Sequence, residues 1–204
     1  KTVGDTVTGG AAKDMVMMGN TLNNTLSVDL GAGKDGLKLA DGGNTNSFTN
    51  VENIIGGTGN DIVTVLTTFT AADQAWFDGM GGVDTLNLTA GNDVFEAEGF
   101  ETINGGGGTD TLTSTSGVDL RGVTLNGIAN VTVDTDNNES TGVLLSSTSV
   151  FSTPTTITGT GGNDGLSSND GMDLTNVTLN TIGGIYIDAD SATVNTAGAV
   201  LTLG

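Results

Sequence analysis

A glycine-rich turn, a single aspartate and a short apolar stretch follow one another at several places along the chain. The pattern is clearest at residues 56–64 (Gly-Gly-Thr-Gly-Asn-Asp-Ile-Val-Thr) and returns at residues 105–113 and 159–167. Glycine can adopt a positive φ and turn its carbonyl inward, and the aspartate adds a hard oxygen ligand. Several oxygens presented by one turn suit Ca²⁺, so each copy predicts a calcium site.

The candidate metal ligands are the glycines and the aspartate of each turn. They are Gly31, Gly33 and Asp35; Gly56, Gly57, Gly59 and Asp61; Gly79, Gly82 and Asp84; Gly91 and Asp93; Gly105, Gly106, Gly108 and Asp110; and Gly159, Gly162 and Asp164. Tight turns in ordinary β-proteins use the same residue types, so one isolated copy would favour a plain turn over a metal site. Repetition of the turn in an acidic chain favours calcium.

The charge of the chain restricts its partners. The 204 residues include 24 acidic and 5 basic side chains, giving a net charge of -19. Self-repulsion of this size opposes a compact state unless cations neutralise it, and it argues against nucleic acid or an anionic membrane surface as a partner. No apolar run is long enough for membrane insertion. Calcium ions are the natural complement.

The side-chain inventory argues against catalysis. Histidine and cysteine are absent, which removes imidazole bases, thiol nucleophiles and the usual zinc ligands. The single arginine, Arg121, aligns with Thr175 in the second copy of a repeat. Paired carboxylates could act as acid and base, but the aspartates follow the repeat and do not converge at one place. We therefore expect that the protein is not an enzyme.

The chain contains two internal repeats. Residues 28–61 align without a gap on residues 77–110, and residues 105–136 align in the same way on residues 159–190. Apolar residues alternate within each copy, as strand residues with one buried face do. Ungapped repeats of this length are typical of solenoids, in which one coil stacks on the next. The sequence predicts an all-β fold, a parallel β-solenoid (β-roll or β-helix) that runs continuously through residues 1–204.

Two stretches break the regular pattern. Thr67–Asp78 begins with a possible Thr cap and is expected to form one short helical turn or a loop. Asn137–Pro154 holds the single proline and is expected to leave the solenoid as a longer excursion. The final residues, 200–204, have a strand pattern, and we interpret the chain as a segment of a longer protein.

The glycine-aspartate turns resemble the RTX nonapeptide repeat, G-G-x-G-x-D-x-U-x, where U is a large apolar residue. Residues 56–64 and 105–113 fill every position of the repeat, and residues 30–38, 79–87, 88–96 and 159–167 fill fewer. Asp14, whose turn has Ala12 in place of a glycine, is the weakest candidate. The resemblance implies a parallel β-roll with calcium ions between its coils, type I secretion from a bacterium, and folding in extracellular calcium.

The spacing of the turns differs from a strict β-roll. Within residues 28–190, only three pairs of aspartates keep the nine-residue step, namely Asp84 and Asp93, Asp110 and Asp119, and Asp164 and Asp173. A solenoid with wider coils and scattered RTX-like turns is therefore expected.

Other residues stand out less. Glu52 and Glu101 occupy equivalent repeat positions and either assist the metal site or, the interpretation we favour, lie exposed on a strand. The aspartates at Asp119 and Asp173 are expected to cap backbone amides. Asp134 with Asp136, and Asp188 with Asp190, form either a second ion site or a solvated edge. Trp76, Tyr186 and Met80 are expected to be packing residues.

Two functions are consistent with these features. The first is an extracellular structural region, such as part of an adhesin, a surface layer or a matrix fibre, that calcium folds and rigidifies. Its partners would be calcium ions and copies of itself or other surface components, and its location would be the cell surface or the medium. The second is a module that binds polysaccharide or ice. We favour the first because Thr-x-Thr pairs are irregularly spaced and exposed aromatic rows are lacking.

Overall fold

A computed structural model describes residues 4–24, 26–134, 142–160, 164–187, 194–195 and 200–203. Within these ranges the chain forms strands and turns and no helix. The residues divide into two compact units, 1–108 and 109–204. All of the strand pairs described below are parallel, so the predicted all-β parallel solenoid is confirmed.

In the first unit the strands alternate between two sheets along the chain. Sheet A contains β1 (Asp5–Thr8), β3 (Leu26–Asp29), β5 (Thr45–Thr49), β7 (Ile62–Val65), β9 (Thr85–Asn87) and β11 (Thr102–Asn104) in that order. Sheet B contains β2 (Met15–Met17), β4 (Gly36–Lys38), β6 (Asn53–Ile55), β8 (Ala75–Asp78) and β10 (Val94–Glu98). One strand from each sheet makes one coil. Residues that pair between adjacent coils, such as Val63 and Leu86, lie far more than nine residues apart in the sequence. The coils are therefore wider than those of a strict β-roll, as the spacing of the turns predicts.

The interior of the first unit is built from inward-facing apolar columns. Leu37, Ile54 and Phe77 stack in register on sheet B and are almost completely buried. The Phe77 ring also contacts two other buried rings, with centroid distances of 5.7 Å to Phe69 and 6.4 Å to Phe95. These columns stabilise the stacking of the coils, because each buried side chain packs against the equivalent side chain of the next coil.

The second unit has more strands in each coil, and their lengths vary more widely, from two to six residues. One series contains β12 (Asp110–Ser114), β15 (Ile128–Val133), β18 (Thr155–Gly159), β21 (Val177–Ile182) and β24 (Val200–Leu203), and another contains β13 (Val118–Asp119), β16 (Val143–Leu144), β19 (Gly165–Ser168) and β22 (Gly184–Ile187). Two further pairs join β14 (Thr124–Asn126) to β17 (Val150–Phe151) and β20 (Met172–Asp173) to β23 (Val194–Asn195). This unit is also a parallel β-solenoid.

The sequence repeat exchanges the two sheets of the first unit. The alignment of residues 28–61 on 77–110 brings β3 of sheet A onto β8 of sheet B, and β4 of sheet B onto β9 of sheet A. A repeat that spans an odd number of strands has this result, because consecutive strands alternate between the sheets. Equivalent turns therefore lie on opposite edges of the unit.

The two irregular stretches are resolved differently. Residues 67–74 form a loop with a turn at 71–73, in which the Thr70 N–H donates to Asp73 Oδ2 (2.7 Å), and β8 follows directly. The expectation of an excursion at 137–154 is wrong for the described part, residues 142–154. Val143, Leu145 and Phe151 are buried, and β16 and β17 pair within the sheets, because alternating apolar residues continue through this segment.

Candidate metal centre

The predicted ligand aspartates lie at the corners of the solenoid, where the chain passes from one sheet to the next. Their side chains point inward: Asp35, Asp61, Asp84, Asp93, Asp110 and Asp164 are at most 1 % exposed. Turn aspartates ordinarily face water, so this burial needs compensating contacts.

In the first unit, one oxygen of each corner carboxylate binds the backbone of the preceding coil. Along one edge the Asn44 N–H donates to Asp61 Oδ1 (2.7 Å), the Asp61 N–H donates to Asp84 Oδ1 (2.7 Å), and the Asp84 N–H donates to Glu101 Oε2 (2.6 Å). Along the other edge the Asp14 N–H donates to Asp35 Oδ1 (2.7 Å). The corners therefore form hydrogen-bonded ladders that link successive coils.

Glutamates continue both ladders, a role that the sequence analysis missed. The Asp35 N–H donates to Glu52 Oε2 (2.7 Å), which repeats on the other edge the bond between Asp84 and Glu101. The favoured expectation of an exposed strand-face glutamate is wrong for Glu52, which is 7 % exposed. The signal was the equivalence of the two glutamates in the repeat, each lying the same distance after its aspartate.

The second carboxylate oxygen divides the corners into two kinds. At Asp61, Oδ2 accepts a hydrogen bond from the Gly57 N–H (2.8 Å), four residues earlier in the same turn. At Asp35 and Asp84, Oδ2 is buried and has no hydrogen-bond partner. A buried polar atom left without a partner costs on the order of 1–3 kcal/mol. These two oxygens are the atoms most suited to bind a cation.

The corner glycines give neighbouring coils room to approach the carboxylates. A Cβ on Gly79 would overlap the Gly99 carbonyl oxygen of the next coil and would lie 2.8 Å from Asp84 Oδ2. A Cβ on Gly56 would likewise overlap the Gly79 carbonyl oxygen and lie 2.8 Å from Asp61 Oδ2. Carbonyl and carboxylate oxygens thus converge where a side chain is missing.

The same close stacking surrounds most of the other predicted glycines. A Cβ would come within 3.0 Å of backbone or side-chain atoms on another coil at Gly31, Gly33, Gly57, Gly59, Gly82, Gly91, Gly106, Gly108 and Gly159. The carbonyl oxygen of Gly105 accepts a hydrogen bond from the Gly107 N–H (3.0 Å) within its own turn. Gly162 lies outside the described residues, as do Asp136, Asp188 and Asp190. Coil stacking by itself therefore accounts for much of the glycine pattern.

The electrostatics of the Asp84 corner favour a cation. Burial, followed by the nearby carboxylates of Asp61, Glu101 and Asp78, raises the pKa of Asp84 from 3.8 to about 6. Burial, with Asp35 and then Asp73 contributing, also raises the pKa of Glu52. At neutral pH the Asp84 carboxylate carries buried negative charge, which a divalent ion would neutralise.

The residues fit calcium only if the backbone supplies most of the ligands. Within the described part of the chain no three acidic side chains are grouped closely enough to hold a metal. Calcium accepts carbonyl oxygens as readily as carboxylates and takes 6–8 oxygen ligands. Asp35 and Asp84, together with carbonyls of the glycine turns beside them, have the donor chemistry for such an ion.

Several smaller expectations can also be compared with the structure. Asp119 and Asp173 cap backbone amides as predicted, accepting from the N–H groups of Arg121 (3.1 Å) and Thr175 (2.9 Å). Met80 is 54 % exposed and Tyr186 is 61 % exposed, so the expectation that they pack in the core is wrong.

No family model matches the chain, and no characterised protein or solved structure is significantly similar to it. None of the described segments is a helix long and apolar enough to cross a bilayer.

Proposed function

We propose that this chain is a structural β-solenoid segment of a secreted or cell-surface protein, such as an adhesin, surface-layer or matrix-fibre protein, which calcium folds and rigidifies. The observation that carries the proposal is the pair of buried carboxylate oxygens, Asp35 Oδ2 and Asp84 Oδ2, that have no hydrogen-bond partner. A calcium ion at each corner would neutralise the charge and link two coils.

The net charge of -19 supports the same function. Without cations, repulsion between acidic groups opposes the stacking of coils, whereas bound calcium turns the repulsion into a cross-link. Calcium sites built from few carboxylates bind weakly, at the 10⁻⁴–10⁻³ M level of extracellular modules. Type I secretion and assembly with copies of the chain or with other surface components are part of this proposal.

A non-catalytic role agrees with the use of the corner carboxylates. The oxygens of Asp61 accept hydrogen bonds from Asn44 and Gly57, and Glu101 accepts one from Asp84. These bonds hold the backbone, so the same oxygens are poorly placed to transfer protons to a substrate.

The outer face of sheet A bears on the alternative of a polysaccharide- or ice-binding module. Thr64, Asn87 and Asn104 form a row across β7, β9 and β11, but they bond to one another: Asn87 Nδ2 donates to Thr64 Oγ1 (3.2 Å) and Asn104 Nδ2 donates to Asn87 Oδ1 (2.8 Å). In the neighbouring row Ile62 lies between Thr45 and Thr85. These features favour a self-supporting face and hence the structural role.

The experiment is calcium-dependent folding of the whole chain. Circular dichroism is measured in EDTA, then in excess calcium, with magnesium as the control ion. We expect a weaker strand signal or a lower unfolding temperature in EDTA, recovery in calcium, and less recovery in magnesium. Identical spectra and melting curves in all three conditions would show that the solenoid is stable without metal and that the proposal is wrong.

A further inference from the structure

The corner turns of the first unit use one backbone amide in two different ways. At three corners the amide four residues before the aspartate donates to that aspartate's Oδ2. These bonds run from Gly10 to Asp14 (2.9 Å), from Gly57 to Asp61 (2.8 Å) and from Thr89 to Asp93 (3.2 Å). We call these the closed corners, because the turn itself satisfies the second oxygen.

At the Asp35 and Asp84 corners the equivalent amide is diverted. The Gly31 N–H donates instead to Asp29 Oδ1 (3.1 Å), and the Met80 N–H donates to Asp78 Oδ1 (2.8 Å). We call these the open corners and call Asp29 and Asp78 the diverting aspartates. Within the first unit, the open corners are the ones whose Oδ2 is buried without a partner.

The backbone distinguishes the two kinds of corner independently of the hydrogen bonds. In the open corners φ is +88° at Gly31 and +150° at Gly33, and it is +66° at Met80 and +142° at Gly82. At the closed Asp61 corner, Gly57 and Gly59 have no positive φ. A positive φ is unfavourable for methionine, so the Met80 turn is held in this form by its surroundings.

The residue at the diverting position, two residues before the turn amide, differs at two of the closed corners, those of Asp61 and Asp93. In the Asp61 turn this position is Ile55, whose side chain cannot accept a hydrogen bond. Asn87 stands there before Asp93, but its Oδ1 already accepts from Asn104 Nδ2 (2.8 Å). At both corners the amide of the turn bonds to its own aspartate instead.

We propose that Asp29 and Asp78 decide which corners of the first unit bind a cation, by diverting the turn amide that would otherwise occupy the ligand oxygen. Asp35 and Asp84 then bind the ion, whereas Asp61 does not, although its turn matches the calcium repeat best. The inference rests on the proposed calcium function and assigns to two residues outside the glycine turns the choice of site.

The test separates the hydrogen bond of Asp78 from its charge. Asp78→Asn removes the charge but keeps an oxygen that can accept from the Met80 N–H, whereas Asp78→Ala removes both. Calcium binding to the full chain is measured by isothermal titration with CaCl₂. We expect Asp78→Ala to lose one ion or to weaken that site about tenfold, the scale of one charge-assisted hydrogen bond. Asp78→Asn should retain the stoichiometry of the unmodified chain.

A second experiment tests whether a new calcium site can be created. Ile55→Asp places a diverting carboxylate two residues before Gly57, so the Asp61 corner should open and the chain should bind one ion more. Thr64→Asp adds the same charge to the outer face of sheet A without reaching a turn amide, and it should leave the stoichiometry unchanged.

The possible results bear on different claims. If the unmodified chain binds no calcium, the proposed function fails and the inference fails with it. If the unmodified chain binds calcium but Asp78→Ala and Asp78→Asn weaken binding equally, the residue acts through charge alone and the inference is overturned. The inference is equally overturned if Ile55→Asp and Thr64→Asp behave alike.

Discussion

The substitution Asp84→Asn should stabilise the metal-free protein. It should also reduce the stabilisation that calcium gives to the protein. Burial and three neighbouring carboxylates raise the pKa of Asp84 from 3.8 to about 6. At about 1.36 kcal/mol per pKa unit, the ionised carboxylate opposes folding by about 3 kcal/mol at neutral pH. An asparagine avoids this cost and still offers an oxygen to the Asp61 N–H.

The chain contains a precedent for the substituted corner. Asn44 occupies the equivalent place two steps along the same ladder, where its Nδ2 donates to the carbonyls of Ala40 (2.9 Å) and Gly42 (2.8 Å). The new amide at position 84 should make similar bonds. A neutral donor then stands where we place the ion, so calcium should no longer stabilise this corner.

The pH dependence has a definite sign. Because the pKa of Asp84 is higher in the folded than in the unfolded state, the stability of the unmodified protein in EDTA should fall as the pH rises from about 4 through about 6. Calcium should reduce this fall, and Asp84→Asn should flatten it.

The assay is thermal unfolding followed by circular dichroism from about pH 4 to about pH 8, in EDTA and in calcium. In EDTA at pH 7.5 the variant should unfold on the order of 5–10 °C higher than the unmodified protein. A variant that is less stable in EDTA, or that keeps the full calcium response, would refute the reasoning.

Three further predictions concern packing and the ladders. Gly79→Ala should lower the free energy of unfolding by more than about 2 kcal/mol, because the added methyl group overlaps the next coil. The control Gly81→Ala should be nearly neutral, because the space around that position is open. Urea unfolding of both variants measures the difference. Phe77→Ala should cost about 3–5 kcal/mol in the same assay because its ring is fully buried between two others, and a loss below 1 kcal/mol would contradict the described core. Glu52→Ala should cost about 1–3 kcal/mol by leaving the Asp35 N–H without an acceptor, while Glu52→Gln keeps the bond; equal losses in both would show that charge, not hydrogen bonding, is the contribution of Glu52.

Much of the fold can be predicted from local pattern. Alternation at positions such as Leu37 and Leu39 places one face of each strand inside, and both side chains are buried. The ungapped repeats predict stacked coils. The exchange of the two sheets could not be predicted, because strands with the same alternation of apolar residues fit either sheet. The apolar pattern also does not determine how many strands one repeat contains.

The candidate site is less accessible from the sequence than the fold. The aspartates of the turns can be identified, but whether the turn amide bonds to Asp61 or to an earlier residue depends on φ at Gly57 and on the acceptor two residues before it. The equivalence of Asp29 with Asp78, and of Glu52 with Glu101, is visible in the repeat. Their roles appear only when stacking brings adjacent coils into register.

The most direct test of the central claim is anomalous diffraction from crystals of the chain grown with calcium. We predict anomalous peaks in contact with Asp35 Oδ2 and Asp84 Oδ2 and none in contact with Asp61 Oδ2. Calcium in contact with Asp61 Oδ2, or no calcium at Asp35 and Asp84, would contradict this prediction.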